Sequence, residues 1–150
     1  MAKTYTINLG TRLINWIFRT MTRLGLGASY RQILTVPGRK TGRLYSTPVD
    51  VMELNDDRWL VAAYGPVNWV LNARAAGEVT LSRGGRTQKY RVAEASAAQA
   101  VPVLRKYLTE VRVVRPYFDA APDAPDKTLE AELSRHPVFR LVPQARSEGR

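Results

Sequence analysis

The chain of 150 residues has no cysteine and a single histidine, His136. The first absence excludes disulfides, thiolate metal sites and cysteine nucleophiles. With one imidazole, His-rich metal sites and most catalytic triads lose their main ingredient, so no metal site is expected. Long apolar runs are missing too, and none approaches the roughly 20 residues needed to span a bilayer. The amino terminus lacks the basic region, apolar core and small-residue cleavage site of a signal peptide. Together with the absent cysteines, this leads to the expectation of a cytoplasmic protein. Acidic residues are scarce relative to basic ones, 13 against 23, which leaves a formal charge of +10. Such a balance calls for an anionic partner: nucleic acid, a membrane surface or a polyanionic small molecule. The arginines are dispersed, and the aromatics fall in apolar segments rather than alternating with basic residues, so nucleic acid is not expected. What remains is ordinary. A hydrophobic fraction of 45% and a charged fraction of 24% suit one compact domain with a sizeable core.

Residues 9–24 carry helical periodicity. Leu9, Leu13, Ile17, Met21 and Leu24 form one stripe, with Arg12, Arg19 and Arg23 on the polar side and Gly25 and Gly27 as a stop. Two readings are open: a helix covering the domain's own core, or a basic amphipathic helix peripheral on the inner face of an anionic membrane. The expected organisation is an amphipathic helix in 1–28, a folded domain in 29–143 and a mobile polar tail in 144–150.

Beyond the helix the period shortens. Arg31–Val36 reads as a strand, and Thr47–Leu54 and Trp59–Tyr64 read as a hairpin around Asn55-Asp56-Asp57. Asn68–Ala76 fits a short helix with Gly77 as its C-terminal cap. Glu78–Arg83 and Arg86–Glu94 flank the two-residue turn Gly84-Gly85. Ser96 followed by Gln99 is a capping box for a helix reaching about Glu110, which Pro102 must either kink or begin. Pro116–Pro125 reads as irregular, no element is assigned between there and Pro137, and Pro137–Val142 is a last strand. Hairpin-linked strands with peripheral helices predict an α+β protein built on a small antiparallel barrel. A parallel doubly wound sheet would need a strand–helix alternation that is not there.

Two clusters can carry chemistry. Gly38-Arg39-Lys40-Thr41-Gly42 lies between two strands. Its glycines permit a tight turn whose N–H groups approach an anion, while Arg39, Lys40 and Thr41 offer a fork, a point charge and a hydroxyl. The Walker A spacing is absent, and a basic surface turn is the alternative. The second cluster, Tyr64 to Asn72, ends a strand and opens a helix whose N–H groups face outward. Asn68 and Asn72 stand one turn apart, and Trp69 can wall a planar ring; alternatively Asn68 caps the helix and Trp69 is core. Paired-carboxylate chemistry is not indicated: of Asp50, Glu53, Asp56 and Asp57, the last two read as a turn. His136 has no evident acidic partner and reads as structural or surface. An enzyme made of these parts would leave the reaction to a bound cofactor.

Taken together, the run Leu34 to Pro48, the strand Trp59 to Gly65 and the segment Asn68 to Val79 resemble the deazaflavin-dependent nitroreductase family of actinobacteria, whose members use coenzyme F-420. The resemblance implies a split β-barrel related to flavin reductases and pyridoxamine oxidases. It implies that Arg39, Lys40 and Thr41 bind the cofactor's phosphate and acidic tail. Tyr45, Ser46, Thr47, Pro48, Val49 and Asp50 would lie along the deazaflavin. Ala62, Ala63, Tyr64 and Gly65, with Asn68, Trp69, Val70, Leu71 and Asn72, would complete the pocket. FMN in the same architecture is the alternative cofactor, and a non-catalytic membrane- or lipid-binding protein the alternative class. Hydride transfer to a small electron acceptor such as a quinone, enone or nitro compound would follow. Tyr64, or Tyr117 in Arg115-Pro-Tyr-Phe118, would supply the proton or orient the acceptor. Tyr45, where relatives carry arginine, and Tyr64-Gly65, where they carry serine–lysine, depart from the nitroreductase pattern, so the resemblance reaches the cofactor and not the acceptor. Split barrels of this kind are monomers or homodimers.

Overall fold

The structure, a computed structural model, describes Arg12, Trp16, Ile17 and residues 30–144. The expected helix and membrane contact of 9–24 therefore lie almost wholly outside the described residues. Arg12, Trp16 and Ile17 are helical and exposed.

Six strands close into one antiparallel barrel: β1 (Arg31–Pro37), β2 (Leu44–Leu54), β3 (Asp57–Val61), β4 (Glu78–Arg83), β5 (Arg86–Glu94) and β6 (Val138–Pro143). Their order around the barrel is β1-β2-β3-β6-β5-β4. Closure leaves no strand edge among them. Two tight connections set the register. Asn55 and Asp56 take φ of 56° and 66° between β2 and β3, the primed turn whose twist matches the strands it joins. Gly84-Gly85 repeats the device between β4 and β5, pairing Arg83 with Arg86.

Side-chain alternation then divides the apolar residues between two cores. Val49, Val51, Leu60, Ala62, Phe139 and Leu141 fill the barrel, while Met52, Trp59, Val61, Ala63 and Val138 face outward beneath a helical layer. Because β3 is buried on both faces, its sequence is a continuous apolar run. The expected strand Trp59–Tyr64 consequently overshoots: pairing stops at Val61, and Ala63-Tyr64 is a turn.

Helix α1 (Asn68–Ala76) ends at Gly77, whose φ of 74° lets its N–H reach the Ala73 carbonyl. Val70 and Ala73 of α1 are buried in the barrel core, so this helix plugs the barrel. Helix α2 (Ala97–Glu110) opens on the Ser96–Gln99 capping box and buries Ala100, Val101, Val103, Leu104, Tyr107 and Leu108 along one face. It runs through Pro102, which neither begins it nor splits it. Pro102 and Ala98 are exposed, so the carbonyl that loses its partner one turn earlier stays open to water. A 3-10 turn (Arg112–Tyr117) and a short helix α3 (Asp126–Glu132) follow, neither anticipated from the proline-rich sequence. Gln144, expected to begin a mobile tail, is tied to the barrel through Lys89, Gln88 and Glu78.

Candidate functional site

The loop between β1 and β2, the first residues of β2, the turn after β3 and the start of α1 meet around a cleft of about 440 Å³. Val36, Gly38, Arg39, Lys40, Thr41, Tyr45, Ser46, Thr47, Pro48, Tyr64, Val67, Asn68, Trp69 and Asn72 line it. The two clusters of the sequence are thus one place.

Part of the main chain of the basic loop is already engaged within the protein. Gly38 donates to the Arg43 carbonyl at 2.7 Å, Gly42 donates to the Gly38 carbonyl at 2.9 Å, and Arg43 donates to Thr41 Oγ1 at 3.3 Å. The Arg39 N–H is also engaged, donating to Asn72 Oδ1 at 3.0 Å. Three of the six amides from Gly38 to Arg43 therefore hold the loop itself and a fourth reaches α1, while the exposed side chains of Arg39, Lys40 and Thr41 present polar and charged groups to the solvent side of the cleft. Gly42 needs its φ of 78°. At Gly38 space is tight instead: a Cβ there would come within 2.7 Å of the Tyr45 ring, which would have to shift.

Charge is distributed unevenly over the molecule. Arg31, Arg58, Arg74, Arg105, Arg135 and Arg140 each face a carboxylate. Arg39 and Lys40 face none among the described residues, and no carboxylate lines the cleft. Away from this loop the lining turns to hydroxyls (Ser46, Thr47), an amide (Asn68) and the rings of Tyr45, Tyr64 and Trp69. Asn68 is not the helix cap: the cap position is Val67, without a side-chain bond. Trp69 is half-buried, its ring 6.1 Å from that of Phe139, so it both lines the cleft and closes the core.

Several residues expected in the pocket lie elsewhere. Val49, Ala62 and Val70 point into the barrel core, and Ala63 joins the outer core. Gly65 is buried and Leu71 half-buried, both off the cleft lining. Asp50 falls on the outer face of β2, where its Oδ1 accepts from Arg31 Nε at 3.2 Å and its Oδ2 from the Tyr107 hydroxyl at 3.0 Å. Burial pushes the Asp50 carboxyl above its usual range against the opposing pull of Arg31. Burial first, and the Asp50 carboxylate second, raise the Tyr107 phenol well above its ordinary value, keeping it a donor. Val36 and Val67 line the cleft without having been named as site residues. Gly38 was legible within the basic motif, whereas nothing in a lone valine marks it as lining.

Tyr64 is 39% exposed at the cleft, and Tyr117 packs edge-on against it with centroids 4.9 Å apart. Tyr117 thus backs Tyr64 rather than lining the cleft. A buried network supports the pair. Glu132, 2% exposed on α3, accepts from the Asp119 and Ala120 amides at 2.8 and 3.0 Å and from Arg135 at 3.1 Å. His136 Nδ1 donates to the Ala62 carbonyl at 3.0 Å, and its ring stacks on Phe118 at 3.9 Å. His136 is therefore structural and not on the surface. Contrary to the sequence reading it has an acidic neighbour, Glu132 Oε2, at 3.7 Å. Burial nonetheless lowers its pKa, outweighing the carboxylate.

A six-stranded antiparallel barrel with peripheral helices and a cleft at one end defines the class, the split-barrel fold of flavin-type proteins. An FMN-binding, pyridoxamine 5'-phosphate oxidase-related protein from Nostoc punctiforme superposes with a TM-score of 0.53, at 10% identity over 92% of this chain and 82% of its own. A FAD-binding protein from Mesorhizobium loti superposes with a TM-score of 0.51, at 14% identity over 86% of this chain and 89% of its own. Likeness at such identities is one of fold. No curated protein sequence matches the chain. The model of the F420H(2)-dependent quinone reductase family matches residues 11–122, and the chain belongs to that family of oxidoreductases.

Proposed function

We propose that the cleft binds coenzyme F-420 and brings its reduced form against an electron-poor acceptor, a quinone, enone or nitro compound. One observation carries this reading: Arg39 and Lys40, which face no carboxylate among the described residues, line a cleft whose described lining holds no acid and is otherwise walled by aromatic rings and hydroxyls. That donor set fits a ligand with a phosphate and carboxylates at one end and a flat ring system at the other. When bound, the reduced deazaflavin supplies the hydride.

The chain's own residues bind, orient and exclude water. Arg39, Lys40 and Thr41 hold the anionic end. Tyr45 to Pro48 on β2, with Trp69 and Asn68 on α1, form the walls between which donor and acceptor are aligned. Tyr64 is the residue placed to donate a hydrogen bond, or a proton, to an acceptor oxygen as negative charge develops there. Tyr117 holds the Tyr64 ring in place.

Titrating the purified protein with F-420 and with FMN, followed by fluorescence, tests the reading. Micromolar binding of F-420 is expected, weakened about tenfold or more by Arg39→Ala and by Lys40→Ala, since each removes a charge-assisted contact. Tight FMN binding with no response to F-420 would overturn it in favour of a flavin.

A further inference from the structure

We infer that Asn72 is a positioning residue, which sets the place of the anionic ligand through Arg39 and does not hold that ligand itself. The inference rests on the cleft being the cofactor site. Asn72 lies on α1, 33 residues beyond Arg39, and is 4% exposed. One oxygen, Asn72 Oδ1, accepts both the Arg39 main-chain N–H at 3.0 Å and the Arg39 Nη1 at 2.8 Å. The two donors converging on it identify this atom as the oxygen rather than the amide nitrogen.

The geometry does three things at once. It fastens the loop to a helix whose neighbouring side chains, Val70 and Ala73, are anchored in the barrel core. It also ties down both ends of one arginine, backbone and guanidinium. An arginine restrained in this way loses less rotamer freedom on meeting an anion than one swinging in water. Finally, the acceptor is neutral. A carboxylate at this position would accept the same two bonds but cancel the charge of Arg39 toward an anion, whereas a carboxamide holds the guanidinium and leaves its charge intact. The other guanidinium N–H groups have no partner among the described residues, so a phosphate or carboxylate can take them.

The test is a double-mutant cycle on the full chain, reading F-420 affinity by fluorescence across a range of salt. Arg39→Ala and Asn72→Ala should each weaken binding about tenfold and flatten the salt dependence, because both reduce the same cationic contact. The double variant should bind within about twofold of Arg39→Ala, the mark of a residue acting through another. A fold-wide role would lower the melting temperature without that non-additivity. Wild-type affinity in Asn72→Ala, or losses that add in the double variant, would overturn the inference. Wild-type affinity in Arg39→Ala would instead remove the cofactor reading of the cleft, and this inference with it. Should Asn72→Ala fail to fold, amide exchange in the cofactor-free wild-type protein decides. The Arg39 amide should be protected relative to Lys40 and Thr41, and equal exchange at the three would sink the idea.

Discussion

Among single residues, Tyr64 and His136 combine exposure and chemistry in opposite ways. Tyr64 lines the cleft with the Tyr117 ring edge-on against its own. Tyr64→Phe should lower kcat with a quinone on the order of 10- to 100-fold, the range for losing a proton donor or oxyanion partner. Tyr117→Phe keeps the supporting ring and should cost less. Steady-state turnover with each variant checks the order, and near-wild-type turnover in both removes the proposed role. His136, by contrast, is stored in the fold as a neutral ring. Its pKa lies below the ordinary 6.5 because burial disfavours the imidazolium. In the window between the lowered value and 6.5 the unfolded chain therefore binds the extra proton, and stability rises with pH there. The contribution is complete above pH 6.5 and is lost as the pH falls below it. Melting curves of wild type and His136→Gln from pH 5 to 8 should converge as the solution is acidified. A pH-independent gap would contradict this account.

Elements differ in how far their own residues account for them. Helix α2 announces itself, because its capping box is a contact between residues three apart: Ser96 Oγ accepts from the Gln99 amide and Gln99 Oε1 from the Ser96 amide. Ser96→Ala should destabilise the protein by about 1 kcal/mol, read as a lower urea midpoint at unchanged slope. Helix α1 is similarly legible from its stop at Gly77. Helix α3 is not. It is short, starts at Pro125-Asp126 without a capping side chain, and buries only Leu129 and Glu132. Its anchoring comes from the bonds of Glu132 to Asp119, Ala120 and Arg135, which no local pattern reveals. β3 failed in the other direction: an apolar run that serves two cores gives no alternation, so its end at Val61 could not be placed.

The whole chain carries a charge of +10, and on the barrel several arginines are neutralised by partners while Arg39 and Lys40 beside the cleft face no carboxylate among the described residues. Binding of an anionic ligand should accordingly couple to folding. F-420 at about 100 times its Kd should add roughly 2.7 kcal/mol of stability, as for any ligand selective for the native state. Thermal melting with F-420, and with FMN as the comparison, measures this; a shift with FMN alone would reverse the cofactor assignment. No helix among the described residues is long and apolar enough to cross a membrane.

The basic loop, the asparagine-bearing helix, the hairpins and their order along the chain were all determined by the sequence alone, because each depends on residues close to one another: a glycine at a turn, a cap three residues from its partner, a two-residue period. Tertiary structure decided what these parts face. It turned Asp50 outward to Arg31 and Tyr107 while Thr47 and Pro48 line the cleft. It committed the amides of Gly38, Gly42 and Arg43 to the loop itself. It also set Asn72 against Arg39. Such choices depend on register and on contacts between distant segments, and a hydrogen-bond partner 33 residues away leaves no trace in local composition.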